Sequence, residues 1–393
     1  MRFPEFEEEW NIKTLGSLSK GIGDGIHATP IYDDNGSYYF INGNNLSERG
    51  INISEATKRV SKEEAYKNNA AILNDRTILL SINGTIGNVA LYNNEPIMLG
   101  KSACYINVSS HINKHYVYHY LQTNKCQTYF ISELTGTTIK NLSLQSVRNA
   151  KIALPSIYEQ NRIAKLLDVI DERIATQSKL IEKLESLIKG LNDTLYAQHG
   201  DEVMTSFAEL GTSYSGLSGK SAQDFGSGKP FITYLNVYSN NIINENDFQY
   251  VVIKDGEKQN IVEYGDVLFT LSSETPNEVG IGSVFLGKEK VYLNSFCFGI
   301  HITNKEVAFP PYLSYYVSST AFRKFIYPYA QGSTRFNLCK ADFENASIKL
   351  PTLENQKRIY SILEHIDCKI EIERQLLALY NSQKQYLLRQ MFI

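Results

Sequence analysis

The sequence predicts an α+β protein of two strand-rich domains, each followed by a long helix, with the two helices pairing as an antiparallel coiled coil. Three observations lead to this prediction. A block of residues recurs half a chain length later, apolar residues follow each block at coiled-coil spacing, and short alternating strands fill the segments between. We expect domain boundaries at 1–154, 155–199, 200–350 and 351–393, with a two-fold relation between the halves.

An ungapped repeat links the two halves of the 393-residue chain. Gly136-Thr137-Thr138 matches Gly332-Ser333-Thr334, and Leu154-Pro155 matches Leu350-Pro351 at the same spacing. Internal self-similarity of this kind indicates one structural unit that occurs twice. The match continues through Gln160, Arg162, Ile163, Leu167, Ile170 and Asp171, whose counterparts are Gln356, Arg358, Ile359, Leu363, Ile366 and Asp367.

The two globular segments mix short strands with turn clusters, and each has one helix near its end. The first half has a predicted helix at about 112–131, and the second has one at about 310–326 that opens at Pro310-Pro311. Their scaffolds correspond while their loops differ, which predicts two related sites with different targets. The predicted strands are 38–41, 77–80 and 89–92 in the first half and 231–235, 267–271 and 283–286 in the second.

Each half ends in a long predicted helix. Pro155 and Pro351 close an extended segment, Ser156-x-x-Glu159 has the form of a capping box, and Thr352 stands at the equivalent cap position. Spacings of four and three then give a period of 3.5, which is typical of a coiled-coil seam. A generic dimerisation rod would show the same seam, but here a large domain separates the two helices within one chain. The seams comprise Ile163, Leu167, Ile170, Ile174, Ile181, Leu184, Ile188, Leu191 and Leu195, and Ile359, Leu363, Ile366, Ile370, Leu377, Tyr380, Leu387 and Met391, with polar interruptions at Gln177, Glu373 and Lys384.

Composition restricts the class of protein. The five cysteines are scattered and form no C-x-x-C pair, which argues against a zinc site and favours a reducing, cytoplasmic location. No apolar run approaches the roughly 20 residues that a membrane helix needs. The net charge is −3, whereas a free-standing DNA-binding protein is usually basic. Any DNA site must therefore be a local patch, or a partner must supply positive charge.

The paired Leu-Pro-x-x-x-x-Gln-x-Arg-Ile openings resemble the conserved regions of Type I restriction–modification specificity subunits. Asp24-Gly25-Ile26-His27-x-Thr29-Pro30 resembles a phrase of their first target-recognition domain, and the stretches 214–217 and 231–237 resemble another in the second. The resemblance covers essentially the whole chain. It implies a non-catalytic protein whose two recognition domains each read one half of a gapped double-stranded DNA site. It also implies docking of two methyltransferase subunits and of helicase–nuclease restriction subunits.

Local patterns that could indicate an enzyme are weak. Phe309-Pro310-Pro311-Tyr312 lacks the Asn or Asp of an amino-methyltransferase, and Gly21-x-Gly23-x-Gly25 is not followed by a helix. His111, His115 and His119 share one helical face, which we interpret as a solvated face without a carboxylate partner. No Gly-x-x-x-x-Gly-Lys phosphate loop occurs. We therefore expect no catalysis, no cofactor and no metal.

Residues that could contact DNA are forked donors and acceptors for bases, and hydroxyls or glycine-rich turns for phosphates. For any one of them an ordinary surface turn is an equal alternative. The candidates are Asp24, His27, Thr29, Asn83, Gly84, Thr85, Thr137, Thr138 and Lys140 in the first domain, and Ser218, Lys220, Ser272, Ser273, Ser333, Thr334 and Arg335 in the second.

Repeated polar positions beside the seam are candidates for the partner surface, although each could instead cap its helix or link it to its own domain. They are Gln160, Arg162, Asp171, Gln356, Arg358 and Asp367. Two other classes of protein stay open at this stage. A duplicated coiled-coil scaffold that binds proteins without DNA would fit the net charge, and a fused methyltransferase would need motifs that the chain lacks.

Overall fold

The computed structural model describes residues 2–47, 50–68, 70–136 and 140–392. Its contacts divide the chain into two compact units. Unit 1 comprises Met1–Lys179 with Arg374–Ile393, and unit 2 comprises Leu180–Glu373. Each unit therefore contains one globular domain, the first part of the helix that follows it, and the last part of the other long helix.

Unit 1 is built on a four-stranded antiparallel sheet in the order β2-β10-β7-β8. A second sheet, β6-β3-β9, has one parallel pairing, and β1 pairs with β11 beside the start of the long helix. The strands are β1 Asn11–Thr14, β2 Ser19–Asp24, β3 Tyr38–Ile41, β4 Leu46–Ser47, β5 Gly50–Ile51, β6 Arg59–Val60, β7 Thr77–Ser81, β8 Val89–Leu91, β9 Ile97–Leu99, β10 Ala103–Val108 and β11 Lys151–Leu154. The helices that begin in this unit are α1 Lys62–Asn68, α2 Lys114–Leu121, α3 Asn124–Ser132, α4 Leu144–Asn149 and α5 Ile157–His199.

Unit 2 repeats this plan, with a four-stranded sheet in the order β13-β20-β16-β18 and a three-stranded sheet β15-β14-β19. A further small sheet has the order β17-β22-β21. The strands are β12 Val203–Thr205, β13 Gly211–Ser215, β14 Phe225–Ile232, β15 Gln249–Val251, β16 Val267–Thr270, β17 Ser272–Ser273, β18 Gly282–Val284, β19 Tyr292–Leu293, β20 Cys297–Ile302, β21 Ala330–Gln331, β22 Phe336–Leu338 and β23 Ile348–Leu350. The helices are α6 Phe207–Leu210, α7 Tyr234–Ser239, α8 Pro310–Tyr316, α9 Thr320–Ile326, α10 Lys340–Asn345 and α11 Leu353–Met391.

The long helices are confirmed at 43 residues for α5 and 39 for α11. Both predicted caps form, because Ser156 Oγ accepts from Glu159 N at 3.4 Å and Thr352 Oγ1 accepts from Asn355 N at 3.4 Å. In a capping box the Glu159 side chain would accept from the backbone N–H of Ser156, but here the carboxylate has other partners. The Glu159 carboxylate accepts from Arg2 Nε at 2.7 Å and from Trp10 Nε1 at 3.2 Å, so the N-terminal segment is tied to the helix start.

The two helices pair in opposite directions within unit 1. Lys384 Nζ of α11 lies 2.8 Å from Asp171 Oδ1 of α5. Further along the chain, the Phe392 ring lies 5.3 Å from that of Tyr116, whose hydroxyl donates to the carbonyl of Ala153 just before α5 begins. The end of α11 therefore lies at the start of α5. Their seam residues Ile163, Leu167, Ile170, Leu387 and Met391 join the sheet and α2 in one core.

Unit 2 uses the other ends of the same helices. Ile359 and Leu363 of α11 are buried, and Ile188, Leu191 and Leu195 of α5 pack against the same core. That core is rich in phenylalanine, with Phe207, Phe269 and Phe343 in mutual ring contact. Aromatic pairs of this kind add to the stabilisation from buried area.

Three predicted elements are corrected by the structure. The helix expected at 112–131 is two helices, because Thr123 caps a new start at α3. The helix expected at 310–326 is divided in the same way at Ser319, which caps α9. The strand expected at 231–235 ends at Ile232, where Thr233 accepts from Asn236 N and caps α7. Apolar runs do not distinguish a strand end from a capped helix start.

Candidate nucleic-acid interface

The first group of candidate residues lies where β2 ends. His27 Nε2 is 2.8 Å from Asp24 Oδ2, and the His27 side chain is 73% exposed. Gly25 sets this geometry, because a Cβ there would lie 2.0 Å from the carbonyl oxygen of Leu99. The chain can therefore cross close to the β9–β10 turn, which leaves His27 and Thr29 at the surface.

The turn after β7 lies beside this group. Gly84 has a left-handed backbone (φ +73°), and the Thr85 hydroxyl donates to the carbonyl of Gly43 at 2.9 Å. Asn83 forms an isolated bridge with Asn141. The structure thus brings Asp24, His27 and Asn83 together around a pocket of about 250 Å³, which Lys101 and Asn141 also line.

Lys101, Asn42, Tyr32 and Lys58 were not predicted as site residues. Two further pockets of about 210 and 290 Å³ share Tyr32, Phe40 and Asn42 in their walls, and Lys101 lines the first of these. Lys58 Nζ lies 4.4 Å above the Tyr32 ring. These positions come from separate turns, so only the fold brings them together. A basic residue directly after a glycine, as in Gly100-Lys101, was the one local signal in the sequence.

A glycine–threonine segment was predicted to contact DNA in each half of the chain, and in unit 1 it follows α3. Thr137 and Thr138 lie outside the described residues. Lys140 is exposed and directly precedes Asn141, so it lies next to the pocket that Asn83 lines.

The matching segment of unit 2 joins β21 to β22. Ser333, Thr334 and Arg335 are all exposed, and Gly332 has a left-handed φ of +147°. The Arg335 guanidinium lies 5.8 Å from the ring centre of Phe296, whose side chain is 55% exposed. An exposed aromatic ring with a cation above it suits contact with nucleic acid. Phe296 was missed although the Asn294-Ser295 pair before it is a turn signal, with Phe296 N bound to Asn294 Oδ1 at 2.9 Å.

Three candidate residues of unit 2, Lys220, Ser272 and Ser273, have buried side chains. Lys220 Nζ donates to the carbonyl of Val252 at 2.7 Å and to Glu257 Oε2 at 2.6 Å, so its charge is neutralised locally. The hydrogen bond from Lys220 lowers the pKa of Glu257 to about 2. Ser272 and Ser273 are buried, and the Ser273 hydroxyl donates to Glu278 at 3.0 Å. Ser218 is exposed, with its backbone held by Gln259.

The two repeated glutamines connect each long helix to its own domain. Gln160 Oε1 accepts from Asn113 N at 3.0 Å, and its amide donates to the carbonyl of Pro155 at 2.9 Å. Gln356 makes the matching bonds with Phe309 N and the Pro351 carbonyl, each at 2.8 Å. Both side chains are buried, so the structure favours the domain-linking interpretation over partner contact for this pair.

The other candidates for a partner surface differ in exposure. Arg162 is 59% exposed and lies 3.4 Å from Glu5, and Arg358 is exposed. Asp171 pairs with Lys384, and Asp367 accepts a hydrogen bond from the buried hydroxyl of Tyr315. The arginines therefore offer accessible charge, whereas both aspartates also have internal partners.

Comparison with known proteins places this geometry in a family. The model of the Type I restriction modification DNA specificity domain matches residues 7–186 and again 215–379. The chain belongs to this family.

Curated relatives and solved structures agree with the family match. The chain is 25% identical to a putative type I restriction enzyme MjaX specificity subunit of Methanocaldococcus jannaschii, over 94% of this chain and 89% of the relative. It is 22% identical to the type I restriction enzyme EcoBI specificity subunit of Escherichia coli, over 78% and 70%. The fold is similar to the S subunit of a Type I restriction-modification system from M. genitalium, with a TM-score of 0.55, 18% identity and coverage of 100% and 99%. A chain from a structure on assembly of the type I R-M system gives a TM-score of 0.57, at 16% identity and coverage of 99% and 98%.

The patterns that first suggested chemistry have structural roles in this member of the family. Pro310 and Pro311 open α8, and Tyr312 is fully buried in the core. Gly23 lies opposite Tyr105 in the β2–β10 ladder, and a Cβ there would lie 2.6 Å from the Tyr105 hydroxyl. In the part of the chain that the structure describes, no group of three or more His, Cys, Asp or Glu side chains is placed to hold a metal ion. No helix among those residues is long and apolar enough to cross a membrane.

The interpretation of the histidine face as solvated and without a carboxylate partner is wrong for two of its three residues. His119 is completely buried, and both His115 Nδ1 and His119 Nε2 lie 2.9 Å from Asp168 Oδ1. Burial lowers the pKa of His119, against the opposing effect of Asp168. Burial alone would raise the pKa of Asp168, but hydrogen bonds from the two histidines lower it to about 2. The partner was missed because it comes from α5, far away in sequence.

Proposed function

We propose that this chain is the sequence-specificity subunit of a Type I restriction–modification complex and has no catalytic activity of its own. Each recognition domain reads one half of a gapped double-stranded DNA site. The long helices hold two methyltransferase subunits and the restriction subunits, and these partners supply the catalysis. A cytoplasmic location fits the five free cysteines.

One observation carries the proposal beyond family membership. The two units share a strand order but present different groups on the segments that connect their strands. Unit 1 offers His27, Asn83 and Lys101 around one pocket, whereas unit 2 offers Phe296 between β19 and β20 and Arg335 between β21 and β22. The same scaffold with different exposed groups is what two readers of unlike DNA sequences require.

The net charge of −3 is compatible with this proposal only if positive charge is local or comes from the partners. Lys58, Lys101 and Lys140 are exposed near the pockets of unit 1 and provide a local source. We therefore expect weak and salt-sensitive DNA binding by the isolated chain, and specific binding in the presence of the methyltransferase.

Selection from a random DNA pool by the chain reconstituted with its adenine methyltransferase tests the proposal. The expected result is an asymmetric motif of two short sequences separated by a fixed gap. A chimera with residues 200–350 taken from another family member should change one half of that motif and keep the other. If the reconstituted complex selects no sequence, the proposal is wrong.

A duplicated protein-interaction scaffold without DNA recognition is the second candidate, because the chain carries no excess of positive charge. It predicts stable assembly with the partner subunits and no selected DNA motif. The same reconstitution therefore distinguishes the two functions.

A further inference from the structure

We propose that Asn83 reads an adenine in the half-site bound by unit 1. This inference rests on the proposed function, and it names the base and the residue that the family match does not assign. It depends on the rigidity of the turn after β7, on the unused hydrogen-bonding capacity of one side chain, and on the groups around it.

The backbone at Asn83 is fixed from several directions. The Ser81 hydroxyl donates to the Asn83 carbonyl at 3.1 Å, and Asn83 bridges Asn141 on the neighbouring segment. Gly84 then turns the chain in the left-handed region, at φ +73°. A side chain on such a turn is held in position relative to the sheet, which specific recognition requires.

Asn83 is the residue of this turn with hydrogen-bonding capacity left over. Its Oδ1 is buried and has no hydrogen-bond donor among the residues that the structure describes. The Thr85 hydroxyl, by contrast, already donates to the carbonyl of Gly43. An unpaired buried acceptor destabilises the free protein. Because the terminal torsion of asparagine is broad, the amide can turn outward and pair with a ligand in the adjoining pocket.

The groups around Asn83 suit the edge of a DNA base with its phosphate. The pocket of about 250 Å³ is also lined by Lys101 and His27, and the Asp24 carboxylate is occupied by His27 at 2.8 Å. The exposed Lys101 ammonium is placed to pair with a phosphate beside the base that Asn83 contacts.

The chemistry of the amide selects the base. An asparagine side chain offers one acceptor oxygen and donors on one nitrogen. Adenine presents the complementary pair in the major groove, an N6 donor and an N7 acceptor, whereas guanine presents two acceptors there. A carboxylate at the same position offers acceptors only and therefore pairs with the N4 donor of cytosine.

The corresponding segment of unit 2 is strand β17, and it cannot act in the same way. Ser272 and Ser273, which follow β16 there, are buried, and the Ser273 hydroxyl is bound to Glu278. Substitution of Asn83 should therefore affect one half-site only.

The test is selection from a random DNA pool by the chain reconstituted with its adenine methyltransferase, for the wild type, Asn83→Ala and Asn83→Asp. In the wild type we expect a preference for adenine of about 5- to 150-fold at one position of one half-site, the range given by a good bidentate contact. Asn83→Ala should make that position degenerate. Asn83→Asp should shift it to cytosine, a change that damage to the fold would not produce.

Asn35→Ala is the matched control, because Asn35 is an exposed asparagine of the same domain that lines none of the three pockets. A gapped motif that both Asn83 variants leave unchanged would overturn the inference, as would an even loss of affinity at every position. Absence of any motif with the wild-type complex is a different result and contradicts the proposed function instead.

Discussion

At the scale of single residues, Gly25 shows why the Asp-Gly-Ile-His phrase has its sequence. Gly25 N donates to the carbonyl of Ala103 at 3.2 Å, and Ile26 N donates to that of Leu99 at 2.9 Å. The two segments can lie this close only if no side chain stands between them. The glycine is therefore required by packing, and the exposed His27 is a consequence of that packing.

Substitution of Gly25 by alanine should destabilise unit 1 by about 1–3 kcal/mol, because the new Cβ would meet backbone that must shift. Chemical denaturation followed by tryptophan fluorescence measures this, since the single tryptophan, Trp10, lies in unit 1. Gly21→Ala is the control, because the nearest atom to its Cβ would be 4.0 Å away. Equal losses for the two variants would contradict the packing argument.

His119 gives unit 1 a specific dependence on pH. Burial lowers its pKa in the folded state, so the unfolded chain binds the proton more readily once the pH falls below its ordinary value near 6.5. Stability should therefore decrease as the pH falls from about 6.5 towards 4. The contribution of Asp168, whose pKa is lowered to about 2, is present above 3.8 and is lost only below that value.

Thermal unfolding between pH 4 and pH 7 measures this effect. His119→Gln should flatten the dependence in that window, and His111→Gln, at an exposed position, is the matched control. The role assigned to His119 would be disproved by parallel pH profiles for both variants and the wild type.

At the scale of elements, Lys384 fixes the end of α11 on unit 1. The seam predicts an apolar residue at this position, yet the Lys384 side chain is almost fully buried. Its ammonium lies 2.8 Å from Asp171 on α5 and donates at 2.8 Å to Gln122 after α2. One cation thus joins three elements, and a single buried polar contact of this kind can determine the register of a helix pair.

Lys384→Ala should destabilise unit 1 by about 2 kcal/mol, less than for a fully buried pair because Asp171 is one-quarter exposed. A double-mutant cycle with Asp171→Ala measures the coupling. Lys165→Ala, an exposed lysine on α5, is the control and should change stability by less than about 0.5 kcal/mol. Additive effects of the Lys384 and Asp171 substitutions would rule out the proposed contact.

The sequence predicts elements best where one local pattern determines them. The long helices follow from apolar spacing, with both caps at the expected residues. The divided helices at Thr123 and Ser319 were missed because a hydroxyl cap within an apolar run looks like continuous helix. Asp24, His27 and Asn83 were predicted as contact residues, but the pocket that they line was not, since Lys101 and Asn141 come from distant segments. Ser272 and Ser273 were predicted to contact DNA through their hydroxyls, but they form a strand of the small sheet and are buried.

At the scale of the whole molecule, unit 1 depends on the last residues of the chain. Leu387, Leu388, Met391 and Phe392 are buried in its core, and the Phe392 ring lies 5.4 Å from that of Tyr120. Each fully buried apolar side chain contributes about 1.5–3 kcal/mol. The C-terminal end therefore belongs energetically to the N-terminal recognition domain.

Deletion of residues 385–393 should destabilise the N-terminal domain of unit 1, because the deleted residues belong to its core. Hydrogen exchange followed by mass spectrometry should show lost protection in β10, α2 and the first turns of α5, with little change in β16 and β20. Unit 2 within the same molecule is the control, because its core does not include the deleted residues. Lost protection confined to unit 2 would contradict the assignment of these residues to the core of unit 1.

The discontinuity of unit 1 also has a consequence for synthesis. Unit 2 is one continuous segment, Leu180–Glu373, so all of its residues leave the ribosome before the last segment of unit 1 is made. Domains commonly fold as they emerge, starting from the N-terminus. Here the core of the N-terminal recognition domain stays incomplete, with α2 and the start of α5 not yet covered by α11, until translation reaches Phe392. A product terminated between Glu373 and Leu387 would have a complete second unit and a first unit whose core lacks Leu387, Leu388, Met391 and Phe392.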